Sequence, residues 1–207
     1  MATLTLTLAA SADDAALSDL GYDDSGTTMN VGATGTSSGN YGQGWRFTNV
    51  TLTSADTVTS VKLQLVKNGD QWVTYINRFT CINEDNTAAF SSGSPPGSRA
   101  IVATIVVDNT NVNELGGTTI DLPHASGDQD SLAAAVQAVI NRAGWASGNA
   151  IAIVNNSAQD ASAETGFARK SFYTYNNGAG FEPKLVITYT PGAAATVRML
   201  ATLGVGK

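Results

Sequence analysis

The chain is poor in the residues that most chemistry needs. It holds one cysteine, Cys81, and one histidine, His124, in 207 residues. A lone cysteine excludes an intrachain disulfide, and one residue of each kind excludes the usual zinc ligand sets. Charged residues make up only 14%, against about 25% in ordinary domains. The 11 Lys and Arg are scattered, with no run beyond Arg169-Lys170, and the net charge is −6. That balance argues against a nucleic-acid partner, which would need a clustered basic surface. No segment approaches the ~18 apolar residues of a membrane span. The shortage of Glu, Lys and Arg excludes a long coiled coil, and a hydrophobic content of 43% excludes disorder across the whole chain.

What is present is Thr (25), Gly (21) and alternation. Residues 2–9 alternate between apolar residues and Thr, which puts Leu4, Leu6 and Leu8 on one face of a strand. Further strands are predicted at 28–31, 44–52, 57–67, 72–82, 100–107, 118–122, 149–155, 168–175 and 183–190. The Asn68-Gly69 pair predicts a hairpin over 57–82. Residues 83–99 read as a long loop, and 100–107 as a strand buried on both faces. One helix is predicted at about 131–143, with Asp130 as N-cap and Gly144 just past its end. Leu132, Val136, Val139, Ile140 and Ala143 share its apolar face, and Trp145 follows as a core plug. The fold class is all-β: an antiparallel β-sandwich of jelly-roll type with one short helix. Residues 1–190 form the sandwich, and 191–207 form an apolar C-terminal arm or extra strand.

Three blocks together resemble a known family. They are ADDAALSDLGYDDSGTTMNVG followed by WRFTNVTL, then VTSVKLQLVK, then AIAIVNNSA with KSFYTYNNGAGFEPKLVITYTP. Their order is similar to DNRLRE-type β-sandwich domains, a jelly-roll family related to carbohydrate-binding modules. Asp13, Arg46, Phe47, Phe172, Pro183, Leu185 and Tyr189 stand at the matching places. The resemblance spans about residues 9–190; the predicted helix and the tail beyond Pro191 depart from it. It implies a jelly roll and a binding or structural role. Such chains also look like phage virion structural proteins.

No catalytic set emerges from the inventory. Ser-His-Asp catalysis would have to use His124, which sits in a Pro-His turn, and Cys81 reads as a buried hydrophobe in a strand. No Walker loop or dinucleotide fingerprint is present, and Gly-x-Gly at 42–44 reads as a turn. The expectation is a protein with no enzymatic activity, no cofactor and no resident metal. Loop carboxylates offer one weak alternative: Asp13, Asp14, Asp23 and Asp24 are the residues a calcium ion would use. Aromatics offer another, with Trp72, Tyr75, Tyr173 and Tyr175 as a glycan platform. Tyr173 and Tyr175, two apart in a strand, would share its outer face. The tail supplies a subunit interface through Val197, Arg198, Met199, Leu200 and Leu203, acting as an arm on a neighbouring subunit.

The functional expectation is a capsid decoration, cement or fibre protein. It would dock on other virion proteins such as the major capsid protein and form a homo-oligomer, with a trimer expected. The alternative is a carbohydrate-binding module. Residues 1–16 lack the basic and apolar regions of a signal peptide, so synthesis in the host cytoplasm and residence in the virion are expected.

Overall fold

The alternating segments become strands wired as a jelly roll. The computed structural model describes residues 1–18, 21–32, 42–69, 77–108, 115–155 and 169–192. Among them lie β1 (Ala2–Thr7), β2 (Asp14–Ser18), β3 (Gly21–Asp23), β4 (Thr28–Gly32), β5 (Gly42–Phe47), β6 (Thr57–Val66) and β7 (Asn77–Cys81). Then come β8 (Val106–Asp108), β9 (Thr119–Leu122), α1 (Ser126–Ile140), β10 (Ile151–Asn155), β11 (Arg169–Tyr173) and β12 (Lys184–Thr190). One sheet runs β1-β12-β6-β9 and the other β3-β2-β5-β10-β7-β8, while β4 and β11 form a two-stranded ribbon. All pairings are antiparallel. Leaving aside β2, β3 and the ribbon, the chain fills β1-β12-β6-β9 and β5-β10-β7-β8, the interleaved order of a jelly roll.

The inward faces meet in one core. Val61, Leu63 and Leu65 of β6 and Leu185 and Ile187 of β12 pack with Trp45, Phe47, Phe79, Cys81, Ile151 and Ile153 of the other sheet. The apolar face of α1, with Leu132, Val136, Val139 and Ile140, joins the same core. Because α1 touches β6 on one sheet and β7 and β8 on the other, it plugs the opening between them. The Gln137 amide pins it there: its oxygen accepts the Val58 N–H at 2.8 Å and its nitrogen donates to Asp56 O at 3.2 Å.

The six-stranded sheet also has a covered outer face. Ala152 and Val154 of β10 pack there with Ala15, Ile82 and Phe90, so β10 is buried on both sides. The cover is the loop after β7. Buried Arg99 holds it, donating to Ala88 O and Ala89 O at 2.8 Å each and lying 5.2 Å over the Phe90 ring. This cover explains Gly42-Gln43-Gly44, which lies inside β5 and not in a turn. A Cβ on Gly44 would stand 2.6 Å from Pro96 Cβ, and one on Gly42 would stand 2.7 Å from Gly97 Cα.

Several expectations are corrected. Residues 57–82 are no hairpin, since β6 and β7 belong to opposite sheets. Of the 100–107 stretch only the last two residues are in a strand, β8, which runs Val106–Asp108. The Thr80 hydroxyl donates to Val102 O at 3.3 Å and Thr104 O at 2.7 Å, taking carbonyls a ladder would use. The helix starts at Ser126 after an Ala125 N-cap and ends at Ile140, so Asp130 lies inside it and Ala143 is exposed beyond it. Gly144 does not close the helix; a Cβ there would stand against Asp85, which Arg142 binds. Residues 14–18 and 21–23 are strands, in a stretch for which the alternation predicts none. Trp145 is partly buried against the core, as expected, and its indole N–H donates to Leu52 O at 2.9 Å.

Gly44→Ala should cost about 1–3 kcal/mol, because a rigid proline ring must give way to the new methyl. Urea unfolding should show a lower midpoint with an unchanged slope.

Candidate functional site

The four acidic residues singled out from the sequence gather where the chain leaves the first sheet for the second. β1 ends at Thr7, a short 3-10 turn covers Ser11–Asp13, and Asp14 opens β2 opposite Trp45 of β5. Two adjacent carboxylates at this crossing meet different fates. Asp13 Oδ1 accepts from Arg46 at 2.5 Å, and Arg46 Nε donates to Thr87 O at the same distance. That Arg thus ties the crossing to β5 and to the covering loop.

Asp14 is turned elsewhere. It is 1% exposed. Its Oδ2 accepts the Tyr175 N–H at 2.8 Å, while its Oδ1 has no hydrogen-bond partner. Asp14 lines a small cavity together with Ala16, Asp23, Asp24, Gly26, Thr28, Met29 and Thr174. Burial is the main force raising the Asp14 carboxyl, with Asp13 and Asp24 adding repulsion, and its pKa is pushed to about 7.

The rim is ordered by its own hydrogen bonds. Asp23 Oδ1 accepts the N–H groups of Ser25 and Gly26 at 2.9 and 3.0 Å, an Asx turn whose Ser25 N–H holds its carboxyl below the usual range. Asp24 Oδ2 accepts from the Tyr22 hydroxyl at 3.2 Å; burial, then the Asp24 charge, pushes that phenol up. The Asp24 carbonyl accepts from Ser11 Oγ and, at 3.0 Å, from Asn176 Nδ2. Thr174 Oγ1 donates to Gly26 O at 2.5 Å. Tyr22, Thr174 and Asn176 were not singled out from sequence; the only local signal was the Asn-Asn-Gly turn at 176–178. Among the described residues, no three His, Cys, Asp or Glu side chains converge to hold a metal ion among them.

The other predicted residues are not brought together. Trp72 and Tyr75 lie outside the described residues, as do Val197, Arg198, Met199, Leu200 and Leu203. Tyr173 ends β11 and packs edge-on against Phe181, with ring centroids 4.7 Å apart. Tyr175 does not share its strand face: it opens a 3-10 turn, half-buried against the core. Phe172 is buried, as expected if the neighbouring tyrosine faces outward.

Cys81 is wholly buried in the core, and burial pushes its thiol up. The His124 ring and backbone N–H both contact Asp108 Oδ2, at 2.8 and 3.1 Å, so this carboxylate fixes the turn after Pro123. Among the described residues, no helix is long and apolar enough to cross a membrane. The chain matches no protein-family model and no curated protein sequence.

The folded state binds the Asp14 proton more tightly than the unfolded chain, where the carboxyl titrates near 3.8. The Asp14 contribution to stability should therefore be fully present below about pH 4 and be lost as pH rises through about 7. Asp14→Asn should flatten that decline in thermal melts across the same range. Arg46→Met should cost about 3–5 kcal/mol, because it strands the buried Asp13 charge, and calorimetric unfolding checks it.

Proposed function

We propose that this chain is a non-catalytic structural protein of a phage virion, a capsid decoration, cement or fibre protein that docks on neighbouring subunits by strand addition. The observation that carries the reading is the edge strand β1. It pairs with β12 alone among the described residues and carries no charge, no proline and no bulge. Thr3, Thr5 and Thr7 are exposed on one side, while Ala2, Leu4 and Leu6 are half-buried on the other. Sheet edges that must avoid partners usually carry lysine, proline or an inward charge. The opposite edge of the same sheet fits that habit, with Asp121 of β9 bound to Lys62 at 2.6 Å.

The register supplies a source for the added strand. Ala2 pairs with Tyr189, so β12 finishes beside the start of β1. The 15 residues from 193 to 207 follow from that end. Handed from copy to copy, this arm would link subunits head to tail, a contact that closes into a ring, with a trimer the expected size. The major capsid protein is the other partner the reading requires.

Density-banded particles from the source, analysed by mass spectrometry, should contain the chain at a fixed ratio to the major component. Deleting residues 193–207, or introducing Thr3→Lys with Thr5→Lys on the edge, should release it to the supernatant while leaving its melting temperature within a few degrees. Wild-type chain found free of particles overturns the reading.

Carbohydrate binding is the second reading, favoured by the half-exposed Tyr173 ring against Phe181. It requires glycan-array binding that Tyr173→Ala abolishes.

A further inference from the structure

A tethered arm that can reach its own sheet edge meets it at an effective concentration of about millimolar, so it fills that edge before a neighbour's. Handing the arm to another copy therefore needs something that keeps it from its own β1. The outlet after β12 has that property. β12 has β1 on one flank and β6 on the other. Past Thr190, which pairs with Thr57, the chain stays on the β6 flank, where the Gly192 N–H donates to Asp56 Oδ1 at 2.9 Å. A Cβ on Gly192 would collide with the Ala55 carbonyl group, so glycine is what lets the two backbones lie this close. Asp56 is itself held. Its Oδ2 accepts the Thr53 N–H at 2.7 Å and the Thr53 hydroxyl at 3.0 Å, and its carbonyl accepts from Gln137 of α1. Pro191 has no N–H with which to extend the ladder.

We infer that Asp56 and Gly192 are positioning residues that aim residues 193–207 away from their own β1 and onto the β1 edge of a second copy. This rests on the strand-addition reading and names the occupant of that edge as a neighbour's arm. To fill its own edge, the arm would have to leave the β6 flank and double back around the start of β1. The slot beyond β1 lies two inter-strand spacings, about 10 Å, from the line of β12. The arm's sequence suits the edge it is aimed at. Val197, Met199, Ala201 and Leu203 alternate along it, the period that lets one face of a strand cover the half-buried Ala2, Leu4 and Leu6. Thr196, Arg198 and Thr202 would then share the side of the exposed threonines of β1.

Two variants test the exchange by light scattering. One lacks residues 193–207; the other keeps its arm but carries Thr3→Lys with Thr5→Lys on the edge. Each alone should be a single chain. Mixed, they should form a complex of two chains and grow no further, because one free arm meets one free edge. A mixture that stays monomeric, or a wild-type chain that is monomeric, overturns the exchange. The latch is read separately. Gly192→Ala displaces the outlet without altering the Asp56 carboxylate, and Asp56→Ala removes its acceptor. Each should let the arm reach its own edge and weaken assembly of the otherwise wild-type chain by about tenfold or more. Gly192→Ala serves if Asp56→Ala misfolds. Assembly as tight as the wild type in a folded latch variant overturns the role of the latch. A two-chain complex in solution from a chain that never enters particles keeps this inference and sinks the virion reading. A chain built into particles without forming that complex does the reverse.

Discussion

The buried contact between Asp13 and Arg46 is the constraint around which this sandwich is arranged. The chain must pass from the first sheet to the second within a few residues of β1, and it does so at a pair of adjacent carboxylates. Successive side chains near a strand start point to opposite sides. Arg46, next to the Trp45 that Asp14 pairs with, neutralises the first, while its Nε reaches the loop that covers the outer face. The second carboxylate then has to point into the region where β3, β4 and the turn after β11 meet. One short crossing thus fixes the second sheet, its outer cover and the acidic cavity together.

The outer cover is the less familiar part of the architecture. A jelly roll usually leaves the outer face of each sheet to water. Here Phe90, Pro96 and the buried Arg99 press a loop onto β5 and β10, and two glycines inside β5 make the approach possible. The middle of the six-stranded sheet is therefore buried on both faces, like a strand in a three-layer protein. This explains why residues 151–155 read as a continuous apolar run, whereas 2–7 and 57–66 alternate.

Sequence patterning made most strands visible because their periodicity is a direct image of burial. β1, β6 and β12 alternate cleanly, and each was found to within a few residues. β2 and β3 were missed because DAALS and GYD are short and carry acids that signal loops. The stretch 100–107 misled for the opposite reason: it is apolar enough for a strand, but Thr80 claims its carbonyls. The hairpin at 57–82 failed because a turn dipeptide reports local geometry and says nothing about which sheet the next strand joins. The acids of the site were legible by type. Their separate fates were not, because Arg46 and Tyr175 come to them from 33 and 161 residues away.

The pairing of Ala2 with Tyr189 carries a mechanical consequence. Both ends of the sandwich body leave from the same end of neighbouring antiparallel strands. A pull applied between them loads the β1–β12 ladder one hydrogen bond at a time, as a zipper, and not all at once in shear. Force transmitted along the chain from residue 1 to residue 192 would peel β1 away before it strained the core. A load-bearing attachment for this domain is better made through its edge or its faces than through its two termini.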